Sequence, residues 1–144
     1  MLVRLVYASR AAGPIDDTLV KAIVEASAAR NLGQGITGVL CTQPGRDVFL
    51  QVLEGARQDV NALYTSIVRD PRHREVTLLS YEEIEQRRFS SWRMGSVDLK
   101  RINLDTILRY SERPVLEPFA MTGKAALALL DELVKTAAIS SRDV

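Results

Sequence analysis

"NLGQGITGVL", residues 31–40, holds Gly33, Gly35 and Gly38 at the spacing GxGxxG, and Glu54 follows about 20 residues on, where a ribose partner would stand. That is the lettering of a dinucleotide-binding turn, and its reading decides the fold. In such a turn the glycines leave a strand and open a helix, so that the helix N-terminus meets the pyrophosphate. Upstream, "DDTLVKAIVEASAAR" (16–30) sets Leu19, Ile23, Ala26 and Arg30 at helical spacing, contains no Gly or Pro, and begins with acids suited to a helix start. Downstream, "ITGVLCT" (36–42) is short, apolar and partly β-branched, and it runs into "QPGRD" (43–47), where Pro44 and Gly45 signal a turn. The order is helix, glycines, strand, the reverse of the requirement. The dinucleotide turn is excluded, and Gly33 is expected to be a left-handed helix stop.

Working outward, "LVRLVYA" (2–8) reads as a strand with Val3, Leu5 and Tyr7 on one face and Arg4 and Val6 on the other. "VFLQVLE" (48–54) pairs with "ITGVLCT" as a hairpin. "GARQDVNALYTSIVRD" (55–70) places Val60, Leu63, Tyr64, Ile67 and Val68 on one helical stripe, halted by Pro71. "EVTLLSYEEI" (75–84) and "WRMGSV" (92–97) supply two further strands, the second at the sheet edge. The sum is α+β, a ferredoxin-like βαββαββ sandwich.

The tail reads as two helices, "NLDTILRY" (103–110) with Asn103 as cap and "TGKAALALLDELVKTAA" (122–138) opening at Thr122 with Leu127, Leu130 and Val134 on its stripe. On the third strand, Phe49, Gln51 and Leu53 face one way while Val48, Leu50 and Val52 face the other, so both sheet faces ask to be covered. The first two helices cover one. The tail helices, on the opposite face, or a partner subunit cover the second.

A chain of 144 residues suits one domain. A formal charge of +1 favours neither nucleic acid nor an anionic membrane as partner. The single cysteine, Cys41, rules out an intramolecular disulfide or cysteine-based metal cluster and reads as a small buried hydrophobe, in keeping with a reducing cytoplasm. "MLVRLVYASR" is too short and too interrupted by Arg4 for a signal peptide, and nowhere do about 20 apolar residues run together. A soluble, cytoplasmic protein is expected. The lone histidine, His73, reads as a cap near the helix end without a second ring for metal. Arg69, Arg72, Arg74, Arg87 and Arg88 read as a solvated face, with the phosphates of a ligand or an acidic partner as the functional alternative.

Gln51 is the residue out of place, an amide between Phe49 and Leu53 on an apolar face. Left unpaired there it costs about 1–3 kcal/mol. Tyr7, on the matching face of the first strand, could satisfy it, and a Tyr–Gln pair alone is ordinary core structure. Asn31, at the end of the first helix, aims a third polar group at the same layer, which turns the crevice into a candidate ligand site.

With "LVYAS" (Tyr7, Ser9), "ARNLGQGITGVL" (Asn31), "VFLQVLEG" (Gln51), "RDPRH" (His73) and "RRFSSWRMG" (Trp92, Met94) in this order and spacing, the chain resembles the BLUF domains, blue-light sensors using flavin, over residues 1 to about 98. The resemblance implies non-covalent FAD between the two helices that pack on the sheet. By it, Asn31 hydrogen-bonds the pyrimidine edge of the ring, Gln51 bridges Tyr7 to the flavin N5/O4 edge, Ile23 and Ile67 sandwich the ring, and Arg30 and Arg72 add contacts to carbonyls or the ribityl phosphate. An amide has the donors and the acceptor such a bridge needs. It further implies that blue light drives an electron and a proton from Tyr7 to the flavin and back, leaving Gln51 rotated or tautomerised and the spectrum red-shifted until it decays in darkness.

The "WRMG" segment is then the expected exit for the signal, with Trp92 and Met94 on one face beside Gln51; taken without the family, both are core packing. No substrate is turned over, so the chain is expected not to be an enzyme. By the resemblance, residues 1–98 form the flavin-binding core and 99–144 a helical extension for output or oligomerisation, too short for a catalytic domain. Output is therefore expected in trans on a separate effector; of the classes the family uses, a cyclic-di-GMP phosphodiesterase stands ahead of a nucleotide cyclase. A homodimer or larger homo-oligomer is expected. Two rivals are a small flavin or acylphosphatase-like enzyme, which lacks a convincing catalytic group, and a light-blind flavin or small-ligand binding module.

Overall fold

The computed structural model describes residues 1–13, 15–43, 45–99, 104–136 and 139–140. The expected cap Asn103, the turn residue Pro44 and the helix-end residues 137 and 138 lie outside them. Strand β1 (Leu2–Ala11) leads into helix α1 (Asp17–Gln34), then β2 (Thr37–Thr42), β3 (Val48–Ala56), α2 (Arg57–Arg69), β4 (His73–Ile84) and β5 (Gly95–Asp98). The tail adds α3 (Leu104–Leu108), a 3₁₀ turn at Pro118–Ala120, α4 (Gly123–Thr136) and a two-residue strand β6 (Ile139–Ser140) that the sequence did not announce.

The sheet runs β4-β1-β3-β2-β5-β6. The first four strands pair antiparallel in the ferredoxin-like order, and β5 joins β2 in parallel. β5 is therefore not the sheet edge that the sequence suggested, because β6 pairs along its far side.

Local chemistry sets the ends of α1. The Asp16 carboxylate accepts from the Leu19 amide at 2.8 Å, capping the start. The stop is Gly35 at φ +67°, whose N–H donates to the Asn31 carbonyl at 2.9 Å. Gly33, expected as the stop, lies inside the last turn; two candidate glycines in "LGQG" differ only in which reaches the left-handed region. At the start of α4, the Thr122 hydroxyl accepts from the Ala125 amide at 3.0 Å.

Two apolar layers flank the sheet. The first joins Val3, Leu5 and Tyr7 of β1 and Phe49 and Leu53 of β3 to Val24 of α1 and Val60 and Leu63 of α2. Val68, placed on that stripe from its spacing, is half exposed instead, because at about 100° per residue it falls at the stripe's edge, on the side away from Leu63. The second layer joins Val6, Val39, Cys41, Val48, Leu50 and Val52 to Ile107, Leu116, Ala126, Leu129, Leu130 and Leu133. The tail helices do cover the opposite face. The buried stripe of α4 is shifted from the expected Leu127, Leu130 and Val134 toward Ala126, Leu129, Leu130 and Leu133, with Leu127 and Val134 only partly buried.

Candidate functional site

Register places the key side chains. Tyr7 of β1 stands opposite Gln51 of β3, and Gln51 opposite Leu40 of β2, so the three form a row across the sheet on its α1/α2 face. Above that row lies a cavity of about 170 Å³. Its floor is Tyr7, Leu40, Phe49 and Gln51; Ile23, Ala26, Ser27 and Arg30 of α1 form one wall, Leu63, Ser66 and Ile67 of α2 the other, and Asp70, Arg72, His73 and Met94 complete it. Asn31, 1% exposed, sits one helical turn beyond Ser27.

The floor is polarised. Burial pushes the Tyr7 phenol far above its ordinary 10.0, with Tyr64 adding and Arg30 opposing, so Tyr7 keeps its proton. That hydroxyl donates to Gln51 Oε1. The other end of the amide, Gln51 Nε2, donates to Met94 Sδ at 3.1 Å. Both ends of one amide are thus engaged, by a strong and a weak partner. Asn31 Nδ2 donates to the Arg93 carbonyl at 2.8 Å. Its Oδ1 is buried with no partner among the described residues.

Around the mouth, Arg72 grips Asp70 through Nε and Nη2 and holds its carboxyl down to about 2. Arg74 pairs with Asp47 and Arg87 bonds Thr37 Oγ1, so the expected arginine face is dispersed among separate partners. His73 is not a helix cap. It opens β4, its Nδ1 lies 2.9 Å from Ser9 Oγ, and its ring packs 5.1 Å from that of Phe49. Desolvation pushes its pKa below 6.5, against Asp70 and with Arg72.

Trp92 and Met94 do not share a face. Both precede β5 in a bend; Met94 enters the first layer beside Gln51, while Trp92 packs against the second layer, its indole N–H buried without an acceptor among the described residues. Alternation requires an extended strand, and "WRM" is not one. Cys41 is buried in the second layer, where burial pushes its thiol up to about 12. Sequence reasoning missed Ser27, Leu40, Asp70 and the lining role of Phe49. Ser27 and Phe49 were within reach, four before Asn31 on a helix and two before Gln51 on a strand.

The lining suits a flavin ring. Ile23 and Ile67 come from opposite helices and the floor offers an amide; Asn31 is not among the lining residues, but its orphaned buried oxygen, one turn beyond Ser27, would accept an imide N–H. The cavity is too small to enclose a whole dinucleotide, against the ~300 Å³ from which ligand pockets usually start, so a bound FAD would be only partly enclosed.

Comparison with known proteins agrees. The family model described as sensors of blue-light using FAD matches residues 2–95. A photoactivated adenylate cyclase subunit beta of Euglena gracilis is 36% identical over 96 residues, 66% of this chain but 11% of that protein, so this chain spans a small part of the curated relative. The photo-activated state of BlsA superposes with a TM-score of 0.80 at 29% identity, covering 93% of this chain and 95% of BlsA. The dark-state structure of BlrB gives 0.71 at 36% identity, covering 92% and 94%. No helix among the described residues is long and apolar enough to cross a membrane. With the motifs of its strands, a cavity between the two helices over an amide-bearing floor and the family match in agreement, the chain belongs to the BLUF family, photoreceptor domains that sense blue light with FAD.

Proposed function

We propose that the light signal arises at Tyr7, Gln51 and Met94 and leaves through β5 and the tail helices to a separate effector protein. The observation that carries this is the unequal engagement of the Gln51 amide. FAD, when bound, supplies blue-light absorption and a transient acceptor for an electron and a proton. Tyr7 is the donor of both, being protonated and the only phenol bonded to Gln51 among the described residues. If the amide turns over, Nε2 faces the Tyr7 oxygen, which can accept. Oε1 then faces Met94, whose thioether has no proton to give, and the Met94 contact is lost. A contact that exists in one amide orientation only is a two-state element.

Asn31, Ile23 and Ile67 hold the ring in this reading, with Arg30 and Arg72 at its mouth. Trp92 acts from the second layer, between the exit segment and the tail. We take the response to be a change of conformation and not a turnover, since the one thiol is buried away from the cavity and held protonated. The name of the Euglena relative ties such a domain to a cyclase; the effector we propose is a cyclic-di-GMP phosphodiesterase or a nucleotide cyclase in the cytoplasm. The sheet face that argued for a homodimer is covered by the chain's own α3 and α4, so the homo-oligomer we propose forms elsewhere, with Leu104 and Leu108 half exposed on α3.

The test is an absorption spectrum of the purified protein before and just after blue illumination, followed through dark recovery. A flavin band that shifts red and returns is the expected result. Bound flavin that never shifts would leave a light-blind module.

A further inference from the structure

Glu54, which the glycine motif would have assigned to a ribose, is fully buried on the sheet face opposite Gln51. Its Oε2 accepts from Arg4 Nε at 2.9 Å and from the Arg88 amide at 2.9 Å, and its Oε1 from the Phe89 amide at 2.8 Å. Arg4, itself 4% exposed, reaches on to Glu82 at 2.7 Å. The two amides belong to the segment 85–94 that joins β4 to β5.

That segment is a strap passing from one layer to the other. Phe89 is buried in the second layer and Met94 in the first. Between them, the Trp92 carbonyl accepts from the Gly38 amide at 3.0 Å and the Arg93 carbonyl from Asn31. The far end of the strap makes the weak thioether contact to Gln51, so its position decides whether that contact exists. A buried carboxylate serving two amides and a guanidinium is a far stiffer fixture than a thioether.

We propose that Glu54 is a positioning residue for the photocycle: through the Arg88 and Phe89 amides it fixes the strap that seats Met94 on Gln51, and so sets the balance between the two amide orientations. This rests on the photosensor reading above. Glu54 touches neither the cavity nor Gln51; it acts through the strap. With the Met94-seated arrangement as the dark one, which the proposal takes it to be, the strap favours that arrangement, and slackening the strap slows the return to it.

The experiment compares the FAD-loaded wild type with Glu54→Gln, which has one oxygen for three donors, and with Glu54→Asp, which keeps the charge and shortens the reach. Val6→Ala is the control, a truncation in the same apolar layer that leaves the Glu54 hydrogen bonds in place. The expected result is retained FAD and a dark recovery slowed about fivefold or more, the change that about 1 kcal/mol on the barrier to recovery makes. Trp92, the only tryptophan of the chain, should also be more readily quenched by acrylamide in both the loaded protein and the apoprotein. Should Glu54→Gln fail to fold, Glu54→Asp is read alone. Unchanged recovery, or equal slowing in Val6→Ala, overturns the proposal. If the wild type shows no light response, the photosensor reading fails by itself, and unchanged Trp92 quenching in the apoprotein variants then overturns the anchor.

Discussion

The Tyr7 hydroxyl carries one proton, burial keeps it there, and the only described acceptor it has is Gln51. Tyr7→Phe removes that proton and leaves Gln51 Oε1 buried without a donor, at about 1–3 kcal/mol. The cavity walls are untouched, so FAD should stay bound while the reversible red shift disappears; a shift that persists would remove Tyr7 from the photochemistry. His73 offers a second test, because it is the only histidine. Its folded pKa lies below the unfolded 6.5, for desolvation first. The unfolded chain therefore takes up the proton first as pH falls, and the stability present above the unfolded pKa is lost down to the folded one. Thermal melts should show the midpoint falling from about pH 7.5 to about pH 5.5, and His73→Gln should flatten that slope. Tyr7, Gln51 and Asn31 were legible because an amide or phenol on an apolar face demands a partner. The Arg4–Glu54 pair was not, since the same alternation that buried them says nothing about which charge meets which.

At the scale of elements, the order helix, glycines, strand was readable from the direction of "NLGQGITGVL", while ends and bends were not. Trp92 and Met94 went to opposite layers because β5 starts only at Gly95, and hydrogen bonds from Gly38 and Asn31 bend the residues before it. The docking of α4 turns on a similar detail. A Cβ on Gly123 would lie 2.0 Å from the Leu79 carbonyl oxygen and 2.8 Å from its carbon, both backbone atoms of β4 that cannot swing aside. Gly123→Ala must lift the first turn of α4 from the sheet, an overpacking that typically costs about 1–3 kcal/mol. Hydrogen exchange should quicken in α4 and the facing part of β4 while the flavin spectrum is unchanged. Slow exchange retained there would mean that the helix is held by its apolar stripe alone.

The whole molecule is one sheet between two layers, the first holding the cavity and the second binding the tail. Sequence alternation on β3 gave both layers at once, because Phe49, Gln51 and Leu53 oppose Val48, Leu50 and Val52. It could not say that the tail, and not a partner, closes the second. This division predicts that damage can be confined to one side. Leu130 is fully buried in the second layer, and Leu130→Ala should destabilise the fold by about 2–5 kcal/mol. For a chain near this size each kcal/mol lowers the melting point by about 2–4 °C. Well below that melting point the first layer keeps Tyr7, Gln51 and Met94 in place, so the red shift should retain its size while control of the effector weakens. If the shift shrinks in step with stability, the layers share one cooperative core and the sheet does not insulate them; if effector control persists with α4 loosened, the output leaves by a surface other than the tail.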